Sequence, residues 1–497
     1  MNRKLGILFL ISVLLAFLAG YFIDSLVPSI RENNAEDMIS FIEEELENYY
    51  YYDLDDDMKH QAYINSIRAA IDTYASLNND PYTRLISAPM NGIPRSDESF
   101  IGFGISFIYE DEGLLVNDLI KNSPAIGKLI PGDMVIGLRS NNEDIYFYTM
   151  TQDEVYQLLS GNVDETKTLI VKTADDDVIY VDITLSNIET PTVYTLSLNQ
   201  SDIAYIKIDT FSQSVDDVTI GSAVLFDQIL RSLEETILNG QERTLILDLR
   251  DNPGGALSAL HNSNEQGVIR GIVQQLLPLN TDLPLFSLES YAGTDIFYGG
   301  LSSKKPYDIK VLVNEHSASA AEVLAAALKV GENYTLYGSE TFGKGVYQNQ
   351  RFLFESRGVN YYLSYTEGPW FYGDRMSVID TPLEVEPITQ QGIKTLSPMI
   401  YPGEMSLDQV SNLLSSYQKF LNIYFNYEGL DKLRTDGYFD QKTADAILLF
   451  TTLEHTSLTS ELSRDVALTM DRVYRELLHD LSNDHQLNEL IGVILSS

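Results

Sequence analysis

Leu245 to Leu257 read LILDLRDNPGGAL. The first half is a continuous apolar run of the kind that forms a buried strand. The second half, Asn252-Pro253-Gly254-Gly255, is a turn. Two glycines directly after a strand let backbone approach a ligand closely, and their N–H groups could supply part of an oxyanion hole. By itself the stretch is only a strand and a turn, so its neighbours have to say what the turn serves.

Upstream, AYIKI near Ile203 is a second strand, and Val218 to Leu238 has helical periodicity. Downstream, IKVLVNE leads into the alanine-rich helix SASAAEVLAAALKV. Strand, helix, strand and helix in this order predict an α/β layer. Before it, from Phe100 to about Ser186, the runs FGISFIYE, GLLVNDLI, DMVIGL, TLIVKT and VIYVDITL alternate with turn signals and predict a small β-rich domain. Glu36 to about Ala88 reads as polar helix broken at Asn79-Asp80-Pro81, and beyond Met405 the chain is mainly helical. The acidic run Asp53 to Asp57 lacks the glycine and distal glutamate of an EF-hand loop and reads as a solvated turn.

Composition narrows the partners. The 497 residues carry 33 Lys and Arg against 72 Asp and Glu, a net charge of −39. Such a surface repels nucleic acid and anionic lipid headgroups. The absence of cysteine excludes disulfides, thiol catalysis and thiolate zinc sites. Leu5 to Ile23, LGILFLISVLLAFLAGYFI, follows a short basic start. Nineteen helical residues span roughly 28 Å, close to a bilayer core. An uncleaved anchor is therefore expected, with the rest of the chain outside the cytoplasm; a cleaved signal peptide is the competing reading, leaving a secreted protein.

Gly338 to Gln348, GSETFGKGVYQ, is nearly a phosphate loop, but Gly345 stands where a hydroxyl is needed and β-type runs follow instead of a helix. A nucleotide hydrolase is thus disfavoured. Poorly hydrated, Lys344 would lose its proton readily and could act as base for a serine. NEHSASAAEV offers Ser317 and Ser319 at a helix start, where N–H groups can hold an oxyanion. The plain alternative is that Ser319 and Glu322 form an S-x-x-E capping box. His316 cannot serve both serines, since adjacent residues of an extended chain face opposite ways.

Taken together and in this order, the three segments resemble the C-terminal processing peptidases, or tail-specific proteases. The family's S-A-S-A-S-E is similar to Ser317–Glu322, its G-K-G-x-x-Q to Gly343–Gln348, and its LDLR-x-NPGG to Leu247–Gly255. Ala321 departs from the usual serine, and Val378 to Pro387 from the usual ending. The resemblance implies Ser319 as nucleophile, Lys344 as general base, Gln348 as the orienting residue, and an oxyanion hole from Gly254 or Gly255 with Ala320. It further implies that SFIGFGISF and SPAIGKLIPGDMVIGL belong to a PDZ domain, with Gly102, Phe103 and Gly104 as the loop that captures a substrate's C-terminal carboxylate. Asn79-Asp80-Pro81-Tyr82-Thr83 resembles the segment just before it. Leu433 to Phe450 and the preceding helix look like a small peptidoglycan-binding module, with a three-helix docking module as the alternative. Arg464 to Ser497 could pair with the N-terminal helices or a second copy.

The expected architecture is multidomain α+β. It comprises a membrane anchor (1–30), a helical region (31–95), a PDZ domain (96–188), a ClpP/crotonase-like α/β peptidase core (189–400) and a helical peptidoglycan-binding-like module (401–497). The expected function is that of an anchored bacterial serine endopeptidase acting on protein tails with apolar C-termini, with no metal or cofactor. Peptidoglycan and a homodimer are candidate partners. The alternative is a non-catalytic scaffold that captures tails without cutting them.

Overall fold

A computed structural model describes residues 55–89, 99–150, 152–213, 221–239, 243–262 and 270–496. The expected anchor lies outside the described residues. Among them, no helix is long and apolar enough to cross a membrane. The chain forms two compact units, Met1–Asn78 and Asn79–Ser497. In the first, helix α1 (Asp56–Ser76) is capped by Asp55, whose carboxylate accepts the Met58 N–H at 2.8 Å.

The second unit opens with a correction. Arg84–Pro89, expected to be helical, is a strand, β1. The break at Asn79-Asp80-Pro81 ends helical periodicity earlier than the apolar spacing suggests. A distant antiparallel partner, in which Arg84 faces Ser364, then satisfies the backbone.

A β-domain follows. β2 (Ser99–Gly102) leads into β3 (Ile105–Glu110), β4 (Gly113–Leu119), β5 (Met134–Ser140) and β6 (Glu143–Tyr146). Helix α2 (Gln152–Leu159), not read from the sequence, precedes β7 (Thr166–Lys172), β8 (Val178–Thr184) and β9 (Ser186–Glu189). The antiparallel order is β3-β4-β5-β7-β8, with β6 on β5 and β2 paired to β9. Phe103, Leu114, Val116, Leu169, Val171 and Ile183 form its core.

The central sheet begins with β10 (Val193–Thr195) and β11 (Ile203–Ile208), then helix α3 (Ser222–Thr236) and β12 (Thr244–Asp248). After the short helix α4 (Ile272–Leu276) come β13 (Phe286–Ser290), β14 (Gly293–Phe297), β15 (Asp308–Val313), helix α5 (Ala320–Glu332) and β16 (Thr335–Gly338). A long hairpin, β17 (Val346–Ser356) and β18 (Val359–Tyr372), precedes β19 (Glu386–Pro387). The sheet runs β10-β11-β12-β15-β16-β19, parallel from β11 onward. A second sheet joins β1, β18, β13 and β14, with β17 on β18.

All five residues of β12 are buried because both faces are covered. Leu245 and Leu247 pack with Phe226 and Leu230 of α3 and Leu324 of α5. Ile246 packs on the opposite face with Leu487 and Leu490. Those two belong to α9 (His485–Ser496), the last of four C-terminal helices after α6 (Leu414–Tyr424), α7 (Gln441–Leu453) and α8 (Arg464–His479). Helix α9 thus closes the second face of the central sheet.

Charge fixes that closure. Arg250, next to the Gly-Gly turn, donates to both oxygens of Asp484 at 2.9 and 2.8 Å and to Asp248 at 2.6 Å. Burial alone would raise the Asp248 carboxyl, but the charges of Arg250 and Lys207 outweigh it and hold the group well below its usual range. On the other side, Arg475 donates to the Leu119 carbonyl at 2.6 Å and to Asp118 at 2.8 Å, and Arg464 pairs with the buried Asp133. The C-terminal helices therefore strut the β-domain against the sheet. Asp484→Ala, which strips Arg250 and Lys394 of a buried anion, is expected to cost about 3 kcal/mol of stability, read as a lower chemical-unfolding midpoint.

Candidate active site

Ser319 stands at the N-terminus of α5 with φ 56° and ψ −118°, a conformation that favours glycine. Holding a serine there costs on the order of 1–3 kcal/mol. It leaves the side chain half-exposed at the open end of the helix, on the β15-to-α5 turn. Ser317, the other candidate, is fully buried and its hydroxyl donates to the Leu249 carbonyl at 2.8 Å. It fastens the turn to the end of β12 and has no access to a substrate. His316 is exposed, with its backbone N–H on Asn314.

The Gly-Gly turn lies against the serine. The Ala318 N–H donates to the Asn252 carbonyl at 2.9 Å. A Cβ on Gly254 would come within 2.8 Å of Ser319 Cβ, 2.9 Å of the Ala318 carbonyl and 3.0 Å of Ala320 N. With φ +104° as well, only glycine fits. The expected oxyanion set needs one correction. The Gly254 N–H is taken by the buried Asn252 side chain at 2.8 Å. Among the described residues, the N–H groups of Gly255 and Ala320 have no protein acceptor. Gly254 is the close-contact residue, and Gly255 and Ala320 are the free donors.

Lys344 sits on the loop before β17 and is half-buried. Its Nζ donates to Gln348 Oε1 at 2.6 Å and lies 4.5 Å from the centre of the Tyr82 ring. Burial first, and Arg84 second, push its pKa below the ordinary lysine value; Glu322 and Asp80 oppose this without reversing it. No hydrogen bond joins Nζ to the Ser319 hydroxyl in this state; the amine is held by Gln348. Gly345 follows, packed close to the exposed side chain of Ile379. The chain then enters β17 rather than a helix, which removes the context a phosphate loop requires.

The residue that sequence reading undervalued is Glu322. Read as a helix cap, it does reach back to the Ser319 N–H, at 2.8 Å through Oε2. The same oxygen accepts the Lys344 N–H at 2.9 Å. Its Oε1 accepts the Gly343 N–H at 2.7 Å and the Thr341 hydroxyl at 2.9 Å. One fully buried carboxylate thus ties the serine turn to the lysine loop, with four donors in place of a cation. The S-x-x-E spacing was the visible signal; the second loop was not.

At the other predicted site, Phe103 is buried in the β-domain core and Gly104 has φ +70°, with a would-be Cβ only 2.2 Å from Ser123 Cβ. Gly102 ends β2, paired to Ser186. Among the described residues, the N–H groups of Phe103 and Gly104 have no protein acceptor.

Comparison with known proteins finds several similar chains. The chain is 24% identical to a probable CtpA-like serine protease of Staphylococcus aureus (strain bovine RF122 / ET3-1), over 98% of this chain and 90% of that protein. It is also 24% identical to the carboxy-terminal processing protease CtpB of Bacillus subtilis (strain 168), over 85% of this chain and 82% of that one. Among solved structures, it is similar to a photosystem II D1 C-terminal processing protease at 20% identity and a TM-score of 0.36, covering 64% of this chain and 81% of that one. Residues 202–387, which hold the Gly-Gly turn, Ser319, Glu322, Lys344 and Gln348, match the profile of Peptidase family S41. The S41 match thus falls on residues 202–387, and the chain as a whole is similar to the CtpA/CtpB-like C-terminal processing proteases.

Proposed function

We propose that the chain is a serine endopeptidase acting outside the cytoplasm from a membrane anchor, with Ser319 as nucleophile, Lys344 as base and Gln348 as the residue that orients the base. The observation that carries this reading is the single carboxylate of Glu322, which accepts from both the Ser319 and the Lys344 backbone and so brings the two loops together. The parallel sheet, with the serine turn at the C-terminal end of its inner strand β15, supports a ClpP/crotonase-like core.

In the reaction, Lys344 leaves Gln348 for the Ser319 hydroxyl and takes its proton as Oγ attacks the scissile carbonyl. The N–H groups of Gly255 and Ala320 receive the oxyanion. Lys344 returns the proton to the leaving amine, and water then hydrolyses the acyl-enzyme. The β-domain acts as a PDZ module in which the Phe103 and Gly104 N–H groups take the carboxylate of a bound tail. Peptidoglycan contact by the C-terminal helices is a secondary reading, supported only by the Asp436-Gly437 turn.

The test uses soluble chain from about residue 30 and an unstructured protein with an apolar C-terminus, fragments being followed by mass spectrometry. Cleavage that slows when the tail is amidated is expected. Tail binding without cleavage would favour the scaffold. The pH profile follows from the base. Below its pKa Lys344 is an ammonium and cannot accept a proton, so activity falls in acid; burial lowers that pKa and carries activity down toward neutral pH. A kcat/KM that stays flat to about pH 5 would contradict a lysine base.

A further inference from the structure

Tyr82 belongs to the turn Asn79–Thr83, which precedes β1 and has no part in the mechanism above. The turn is tightly held. Asp80 Oδ1 accepts the Tyr82 N–H at 2.9 Å and the Thr366 hydroxyl at 3.0 Å, and Oδ2 accepts the Thr83 hydroxyl at 2.6 Å. Thr83 Oγ1 in turn accepts the Thr366 N–H at 3.0 Å. Thr366 is the β18 residue that faces Gln348 across the hairpin. The turn is therefore docked on the strand position opposite the amide that holds Lys344. From there its aromatic ring covers Nζ at 4.5 Å.

We infer that Tyr82 is a positioning residue for Lys344: its ring and Gln348 Oε1 grip the amine from two sides, and the Asp80 turn fixes the ring to the same hairpin. The inference rests on Lys344 being the base. A ring face attracts an ammonium electrostatically and offers nothing comparable to a neutral amine. It also keeps water from Nζ, which works the other way. The charged and titratable groups facing Nζ are Glu322 of α5, Asp80 and Tyr82 of the turn, and Arg84 of β1. Glu322, Asp80 and Arg84 all remain when the Tyr82 ring is replaced by an apolar side chain.

Y82L separates the two effects, since leucine keeps apolar cover and lacks the ring face. The proton-loss midpoint of Lys344 is then expected about half a pH unit lower. Limited acetylation across pH 6–10, scored on the Lys344 peptide by mass spectrometry with other lysines as internal standards, reads this directly. Run in a Ser319→Ala background, it does not depend on cleavage, so its result stands even if the chain proves to cut nothing. In the Ser319 protein, Y82L is expected to lower kcat about tenfold with KM unchanged, since a loosened base loses its alignment. Y82F keeps the ring and should restore both readouts. Y82M, unbranched and adaptable, carries the same expectation as Y82L should that variant not fold. An unchanged or raised Lys344 midpoint in Y82L, a wild-type kcat in it, or a Y82F that behaves like Y82L would overturn the assignment.

Discussion

Ser319→Ala and Lys344→Met are each expected to lower kcat by at least about 10⁴-fold, with the double variant no slower than either alone. The magnitude follows from nucleophile and base acting as one unit, so that removing either removes the step. Methionine retains much of the lysine stem's bulk, so Lys344→Met deletes the proton acceptor while filling its place beside Tyr82 and Gln348. Stability separates this role from that of a helix cap. Loss of a capping serine costs about 1 kcal/mol. Here the cap bond that forms runs from the Ser319 backbone to Glu322, and alanine leaves it intact. Ser319→Ala is thus expected to unfold within a few tenths of a kcal/mol of wild type. Steady-state kinetics on a tail peptide, with unfolding curves for the same samples, supply both numbers. Lys344→Met retaining activity within tenfold would remove the lysine from the base role.

The second large effect belongs to Glu322→Gln. The carboxylate accepts four hydrogen bonds: from the N–H groups of Ser319, Gly343 and Lys344 and from the Thr341 hydroxyl. A glutamine offers one acceptor oxygen and turns an NH₂ toward the remaining donors. Two donors are then buried without partners and face a third. Hydrogen bonds to a charged group contribute about 1.5–3 kcal/mol each, and an orphaned buried donor costs about as much. A loss of about 3 kcal/mol in stability is expected. More telling is the kinetic split. The serine turn and the lysine loop share Oε2, so their register loosens together and kcat falls about 10²-fold. KM stays near wild type, because tail capture is assigned to the Phe103–Gly104 loop on another sheet. Assays kept well below the unfolding temperature decide it. A kcat within threefold of wild type would mean that the two loops find their register without the shared carboxylate.

Both expectations turn on residues that the sequence exposes to different degrees. Ser319 and Lys344 were legible because each lies in a short motif with a chemical reason for every position. Glu322 was legible only as a local cap, since its other three donors come from Thr341, Gly343 and Lys344, about twenty residues along the chain. Gly254 and Gly255 were legible as a pair, yet which N–H stays free depended on the Asn252 side chain folding back on Gly254. Arg84 to Pro89 was misread for a related reason. Local spacing there is compatible with a helix, and the strand exists because β18, some 270 residues later, supplies its hydrogen bonds.

By itself the sequence determined the strands and helices of the α/β layer and the buried character of Leu245–Leu249, and it singled out Ser319, Lys344 and Gln348 as the proposed catalytic set. These are encoded in periodicity, turn residues and motifs a few residues long. The tertiary structure alone decided what covers the second face of β12, which carboxylate neutralises Arg250, which ring covers Lys344, and that the amine rests on Gln348 rather than on Ser319. Those are pairings between Ile246 and Leu487, Arg250 and Asp484, and Tyr82 and Lys344. Each joins groups separated by some 230 to 260 residues of chain, a distance over which no local propensity acts and only burial and charge in the folded state select the partner.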